Sequence, residues 1–160
     1  MHKKIAIFPG SFDPFTRGHE DIVLRGRLLF DEVVIGIGHN SQKQRYCPIS
    51  LMIERINETF AQYDNVRVET FVGLTAVFAQ KIGANYLLRG LRNTTDFEYE
   101  NSIAQANRHV NKELDTVFLI TSPQFAYISS SLIRDIHKYG KDVTEYLPYE
   151  LPTYEELMDM

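Results

Sequence analysis

Ser11, Thr16 and His19 fall within one stretch, Pro9-Gly10-Ser11-Phe12-Asp13-Pro14-Phe15-Thr16-Arg17-Gly18-His19, which joins an apolar run to a segment with helical spacing. A helix that begins near His19 points its unpaired N–H groups at the hydroxyl-bearing loop, an arrangement that binds anions. Gly10 lets the backbone approach a ligand closely. A second set of donors lies far along the chain, Ser129-Ser130-Ser131 before Leu132. Three hydroxyls at a helix start form a phosphate cradle, of which a plain serine N-cap is the simpler version. Between the two stand cations: Lys43 in a polar loop, and Arg89 and Arg92 beyond the apolar run Tyr86-Leu87-Leu88. Groups of this kind gather anions and stabilise negative charge developing on phosphorus.

Other chemistries lack their residues. No Gly-x-x-x-x-Gly-Lys-Ser/Thr is present, and Gly36-x-Gly38 has no third glycine, so it reads as close backbone packing. There is no Gly-x-Ser-x-Gly elbow for a serine hydrolase. His39, His109 and His137 have no metal-ligand spacing and read as structural. The one cysteine, Cys47, has no partner for a disulfide or a zinc finger and reads as a small, half-buried side chain.

The elements that must position these groups alternate along the chain. Lys4–Phe8, Val33–Gly38, Val66–Val72, Tyr86–Leu88 and Val117–Ile120 are near-continuous apolar runs, as parallel strands covered on both faces require. Helical stripes lie between them: Ile22, Val23, Gly26, Leu29 and Phe30; Ile53, Ile56 and Phe60; Leu74, Val77 and Phe78; Tyr99, Ile103, Ala106 and Val110; Leu132, Ile133 and Ile136. Each stripe is expected to pack into the core. Thr95-Asp96-Phe97-Glu98 offers a capping box for the fourth helix, and Gly140 a C-cap for the fifth. The alternation predicts a single α/β Rossmann-like domain, a five-stranded parallel sheet with helices on both faces and right-handed crossovers. Ligands on such a sheet bind beyond the carboxyl ends of the strands, where the loops above lie.

Composition agrees. At 160 residues, 44% apolar and 24% charged, the chain has the make-up of one globular domain rather than a disordered or fibrous one. No run approaches the roughly 20 apolar residues of a membrane span, and Met1-His2-Lys3-Lys4-Ile5 leads directly into a strand without a signal-peptide layout, so a cytoplasmic protein is expected. Glu150, Glu155, Glu156 and Asp159 supply the whole net charge of −4. The neutral remainder argues against a nucleic-acid surface, and anionic ligands must be held by a local cluster. The expected division is residues 1–148 as the domain and 149–160 as a loosely attached acidic tail.

Thr16-Arg17-Gly18-His19, with Ile128-Ser129-Ser130-Ser131-Leu132-Ile133-Arg134 at the appropriate distance, resembles the nucleotidyltransferase superfamily with the Thr/His-x-Gly-His motif. Arg89-Gly90-Leu91-Arg92, Asp96-Phe97-Glu98-Tyr99-Glu100 and Asn107-Arg108-His109 look like bacterial phosphopantetheine adenylyltransferases, from about Lys4 to Pro148. The resemblance implies adenylyl transfer from ATP to 4′-phosphopantetheine, giving dephospho-coenzyme A and pyrophosphate. It also implies a magnesium requirement, a homohexamer and feedback inhibition by coenzyme A, with no identified metal ligands. Carried over by motif, His19, Lys43 and Ser11 are the catalytic group, Ser11 standing where the family has threonine. ATP would meet Ser11, Phe12, His19, Gly90, Leu91, Arg92, Glu100 and Phe125, Ala126, Tyr127, Ile128, Ser129, Ser130 and Ser131. The phosphopantetheine acceptor would meet Ser11, Lys43, Thr75 and Arg89. Phe125 replaces a more usual Trp or Tyr, and Gly73 stands where an acidic residue is common.

An acceptor phosphate monoester, with its second pKa near about 6, is already ionised at neutral pH, so no general base is required. Two other readings of the same motifs exist. A transferase for nicotinate mononucleotide or a cytidylyl acceptor would more often carry His at position 16, and a non-catalytic nucleotide sensor would be expected to have lost His19 or Lys43.

Overall fold

A computed structural model describes residues 2–160. The strands are β1 (Ile5–Gly10), β2 (Glu32–Gly38), β3 (Val66–Phe71), β4 (Tyr86–Leu91) and β5 (Asp115–Ile120). The helices are α1 (Arg17–Gly26), α2 (Ile49–Thr59), α3 (Thr75–Lys81), α4 (Thr94–Val110), α5 (Ser130–Lys138) and α6 (Tyr154–Met158). The five strands form one parallel sheet in the order β3-β2-β1-β4-β5, as the alternation predicts. The chain starts in the middle strand, winds outward through β2 and β3, then returns to β1's other edge with β4. That reversal opens a crevice between the carboxyl ends of β1 and β4.

Period-two alternation divides the core between the faces. Ala6, Phe8, Val33, Ile35 and Ile37 pack with Ile22, Val23, Leu51, Met52 and Ile56 of α1 and α2. Ile7, Val34 and Leu87 point the other way, onto Ala76, Phe78 and Ala79 of α3. Gly26 is glycine because α1 crosses β4 so closely that a Cβ there would collide with the Leu88 side chain. A third cluster, Ile128, Ile133, Val143 and Leu147, fastens α5 to the segment that follows it.

Several local expectations are corrected. Leu74 and Val77 are exposed, as are Tyr99 and Val110 of α4, so only part of the third stripe and little of the fourth enter this chain's core. Glu100 is the one buried residue of α4. That helix is capped by Asn93, whose side chain accepts from the Asp96 N–H at 2.8 Å, and not by Thr95. Gly140 does follow α5 with φ +68, its N–H donating to His137 O, as a C-terminal glycine should.

The acidic tail is not loosely attached. Thr153 and Glu156 form a capping box that starts α6, and Leu157 is 3% exposed within the larger core cluster. The Tyr149 hydroxyl donates to Phe15 O, inside the first loop. Charge count marks this segment as solvated. Spacing conceals its anchors, because Tyr149, Leu151 and Leu157 do not make a helical stripe.

Candidate active site

The crevice at the carboxyl ends of β1 and β4 is a cleft of about 330 Å³. β1 and the turn after it deliver Gly10, Ser11 and Phe12; α1 delivers Gly18 and His19; β4 and its extension deliver Arg89, Gly90 and Arg92; the turn into α5 delivers Phe125, Ile128, Ser129 and Ser130. Loops from distant parts of the chain converge because β1 and β4 are neighbours in the sheet.

Thr16 and His19 lock together at the start of α1. The Thr16 side chain accepts from the His19 N–H, and the Thr16 N–H donates to His19 Nδ1 at 3.0 Å. This is a capping box with histidine in the place usually taken by Glu or Gln. It fixes the tautomer. Nδ1 accepts from a backbone N–H, so the proton of the neutral ring sits on Nε2, the nitrogen left to act on a ligand. Phe8, Phe12 and Phe15 surround the imidazole at centroid distances of 6.0, 5.0 and 5.3 Å. Burial, with the charges of Arg89 and Arg92 adding to it, lowers the histidine from its ordinary 6.5 to about 3. His19 is therefore a neutral donor, not a cation.

The loop carries strain to arrange this. Phe12, 3% exposed, has φ +46, a left-handed conformation unusual for an aromatic residue. Its ring lies where a Cβ on Gly10 would come within 2.9 Å. Gly10 is thus required by the Phe12 ring, whereas sequence reasoning ascribes it to the approach of a ligand.

Arg89 and Glu100 form the wall at the back of the cleft. Arg89 Nε donates to one carboxylate oxygen of Glu100 at 2.8 Å, Nη2 donates to the other, and Nη1 donates to Pro9 O. Two of the five guanidinium N–H groups remain for a ligand. Glu100 is 7% exposed, so its charge is balanced where it is buried. Behind the wall lies a second cavity of about 190 Å³, lined by Thr75, Leu87, Ile103 and Asn107 and sharing Arg89 and Glu100 with the first. Arg92 is held by Asp96 through Nε at 2.9 Å and Nη2 at 3.2 Å, and these bonds hold the Asp96 carboxyl below the usual carboxylate range.

All three serines of the expected cradle have internal partners. Ser129 Oγ caps α5 by accepting from Leu132 N–H at 3.2 Å, so the simpler reading applies to it. Ser130 Oγ donates to Pro14 O at 2.8 Å, and Ser131 Oγ accepts from Arg134 at 3.2 Å. What α5 can offer an anion is the unpaired N–H groups of its first turn.

Ser11, Phe12, His19, Arg89, Gly90, Arg92, Glu100, Phe125, Ile128, Ser129 and Ser130 therefore line one cleft. Thr75 faces the second cavity, and Lys43 a third of about 530 Å³ that also meets Ser11. Leu91, Ala126, Tyr127 and Ser131 do not line the main cleft. Asp96 also lines the cleft, and sequence reasoning does not single it out. The Arg92/Asp96 spacing of four was the available signal for Asp96. Thr16 is visible in the sequence at the start of the helix, but its bond to His19 Nδ1 is not, because that nitrogen lies on a side chain that sequence alone leaves unoriented.

Residues 7–136 match the family model described as cytidylyltransferase-like. The phosphopantetheine adenylyltransferase of Cytophaga hutchinsonii is 65% identical over 148 residues, 92% of this chain and 99% of that protein. That of Porphyromonas gingivalis is 45% identical over 92% of this chain and 96% of its own length. Among solved structures, a putative nicotinate-nucleotide adenylyltransferase from Vibrio parahaemolyticus superposes with a TM-score of 0.68 at 19% identity, over 98% of this chain and 92% of that one; this similarity is one of fold. The sheet order, the Thr16/His19 start of α1 and the two arginines of the cleft are thus set in a chain that belongs to the cytidylyltransferase-like family and, within it, to the phosphopantetheine adenylyltransferases.

Proposed function

We infer that the protein transfers the adenylyl group of ATP to 4′-phosphopantetheine, producing dephospho-coenzyme A and pyrophosphate in coenzyme A biosynthesis. The relative at 65% identity over nearly its whole length carries this inference. An oxygen of the acceptor phosphate, ionised near neutral pH, attacks the α-phosphorus in line; that P–O bond forms as the bond to the β-phosphate bridge breaks. Neutral His19 donates from Nε2 to the α-phosphate as charge develops, which requires no proton transfer from the ring. Arg92 and the start of α5 are proposed to hold the triphosphate, and Gly90, Glu100 and the Phe125–Ser131 segment to border the nucleotide. Arg89, Ser11 and Lys43 are proposed to hold the acceptor phosphate. The second cavity, reached past Arg89 and bordered by Thr75, suits an elongated acceptor arm.

Magnesium is proposed to arrive on the ATP triphosphate. The described residues contain no group of three or more His, Cys, Asp or Glu side chains placed to hold a metal, and the cleft acids Asp96 and Glu100 are bound by arginines. A homohexamer and inhibition by coenzyme A belong to the same proposal. Exposed Phe97, Tyr99 and Val110 on α4 support a partner subunit on that helix. No helix among the described residues is long and apolar enough to cross a membrane, and we take the cytoplasm as the compartment.

The test is pyrophosphate release from ATP and magnesium with phosphopantetheine, nicotinate mononucleotide or no acceptor. Release with phosphopantetheine alone is expected. Equal release with nicotinate mononucleotide would overturn the assignment.

A further inference from the structure

Lys43 sits at the tip of an exposed loop, and part of what holds this loop comes from α5 and the C-terminal segment. The loop leaves β2 with His39 N–H donating to Phe71 O at 2.8 Å, and it turns on Asn40, whose side chain accepts from Gln42 N–H at 3.0 Å. Its returning limb is fixed to the first loop: the Asp13 carboxylate accepts from the Tyr46 and Cys47 N–H groups at 2.9 and 2.7 Å.

The side chain of Tyr46 then reaches away from the cleft into a three-ring cluster. It stacks on Tyr154 of α6 at 6.3 Å and 19°, and meets His137 of α5 edge-on at 5.8 Å. Its hydroxyl lies 2.7 Å from His137 Nδ1, and His137 Nε2 lies 2.9 Å from Pro152 O. A proline carbonyl only accepts, so Nε2 carries the ring proton, Nδ1 accepts and the Tyr46 hydroxyl donates. Burial pushes the phenol up to about 12, which keeps that donor protonated. The third cavity brings Lys43, Ser11, Tyr46 and Tyr154 onto one wall system.

We propose that the C-terminal segment is a strap that sets the position of the Lys43 loop, with Tyr46 and Tyr154 as positioning residues for capture of the acceptor phosphate. The proposal rests on the role given to Lys43 above. The strap acts through Tyr46: with Tyr154 in place the returning limb is held at its side chain as well as at its backbone. Without it, the Tyr46 side chain loses its stacking partner and keeps only His137, while Asp13 and the Arg45 bond to Phe12 O restrain the rest of the limb. The segment that the acidic composition marks as an appendage thereby contributes to the acceptor half of the site.

Two readouts on the full chain test this. The first needs no ligand. Limited trypsin cleavage after Lys43 is expected to quicken about fivefold in Tyr154→Ala, the equivalent of one lost aromatic pair, with Tyr154→Phe at the wild-type rate. An unchanged rate overturns the strap. The second is kinetic. Tyr154→Ala should raise KM for phosphopantetheine by about the same factor and leave KM for ATP within about twofold, and Lys43→Ala should abolish the effect of adding Tyr154→Ala. Additive losses, or equal rises in both KM values, overturn the positioning role. Tyr46→Phe, which keeps the ring and removes only the hydroxyl, should move both readouts in the same direction by a smaller factor. If the wild type fails to use phosphopantetheine while Tyr154→Ala still quickens cleavage, the strap stands and the substrate assignment falls.

Discussion

His19→Asn separates the two jobs of the histidine. Asn Oδ1 can take the place of Nδ1 and accept from the Thr16 N–H, so the start of α1 keeps its cap, while the Nε2 donor disappears and nothing titrates. In the wild type the ring falls from its ordinary 6.5 to about 3 on folding, chiefly through burial and secondarily through Arg89 and Arg92. Between those values the unfolded chain binds a proton that the folded one refuses, so stability falls as pH drops from about 6.5 and levels off below about 3. At pH 5 the interval traversed is about 1.5 units, worth up to about 2 kcal/mol, against a few tenths at pH 7. Urea unfolding of both proteins at pH 7 and pH 5 measures this as a difference, which cancels the titrations they share. The variant should lose up to about 2 kcal/mol less than the wild type on acidification. Identical losses would mean that the histidine protonates freely in the folded protein, and the argument that burial holds the ring neutral would fail with it. Turnover supplies the second arm: the variant should be slower by about 10² or more. The acid limb of kcat/KM should remain in both, because it comes from the acceptor phosphate.

Other substitutions address the rest of the architecture. Arg89→Ala should weaken phosphopantetheine binding much more than ATP binding in separate titrations, since it removes a charge-assisted bond to one phosphate; equal weakening would take Arg89 out of the acceptor site. Leu157→Ala should cost about 2 kcal/mol and lower the melting temperature by roughly 4–8 °C, where an unattached tail would show no change. Cys47, buried with its thiol pushed up to about 12 by desolvation, should resist a thiol reagent in the folded protein and react only on denaturation; rapid labelling of the native chain would contradict its placement.

The sheet was legible because β1, β2 and β4 carry short apolar runs between turn residues, as buried central strands do, while the edge strands β3 and β5 are only half-buried and carry polar residues among the apolar ones. β4 was read three residues short, since Arg89-Gly90-Leu91 mixes the last strand residues with ligand-facing ones. The stripe on α4 was legible as a pattern but not as a destination: Tyr99 and Val110 have helical spacing, yet spacing does not say whether the apolar face meets this chain or another. In the site, motif letters located His19, Arg89 and Ser130, while the chemistry of each depends on partners that no spacing reveals. Nδ1 of His19 is committed to Thr16, Arg89 to Glu100 and Ser130 to Pro14. α6 escaped because its five residues are too few to display a period, and its two anchors, Tyr154 and Leu157, flank two glutamates.

Arg134 donates to Asp13 O at 2.7 Å across 121 positions of sequence, and Ser130 to Pro14 O across 116. These bonds stitch the first loop made to nearly the last. On a ribosome adding about 5–20 residues per second, Asp13 waits roughly 6–24 s for Arg134 to be synthesised. The strained turn at Phe12 is clasped earlier by Arg45, which donates to Phe12 O at 3.1 Å, and by the Tyr46 and Cys47 N–H groups on Asp13, but its bonds to α5 wait until then. A nascent chain can build β1, β2 and β3 and still hold a nucleotide poorly, because half of the cleft has not been made. Capacity to bind ATP should therefore emerge abruptly near the end of synthesis, and stalled or clipped chains ending before Ser129 should neither sequester the nucleotide nor compete with finished enzyme for it.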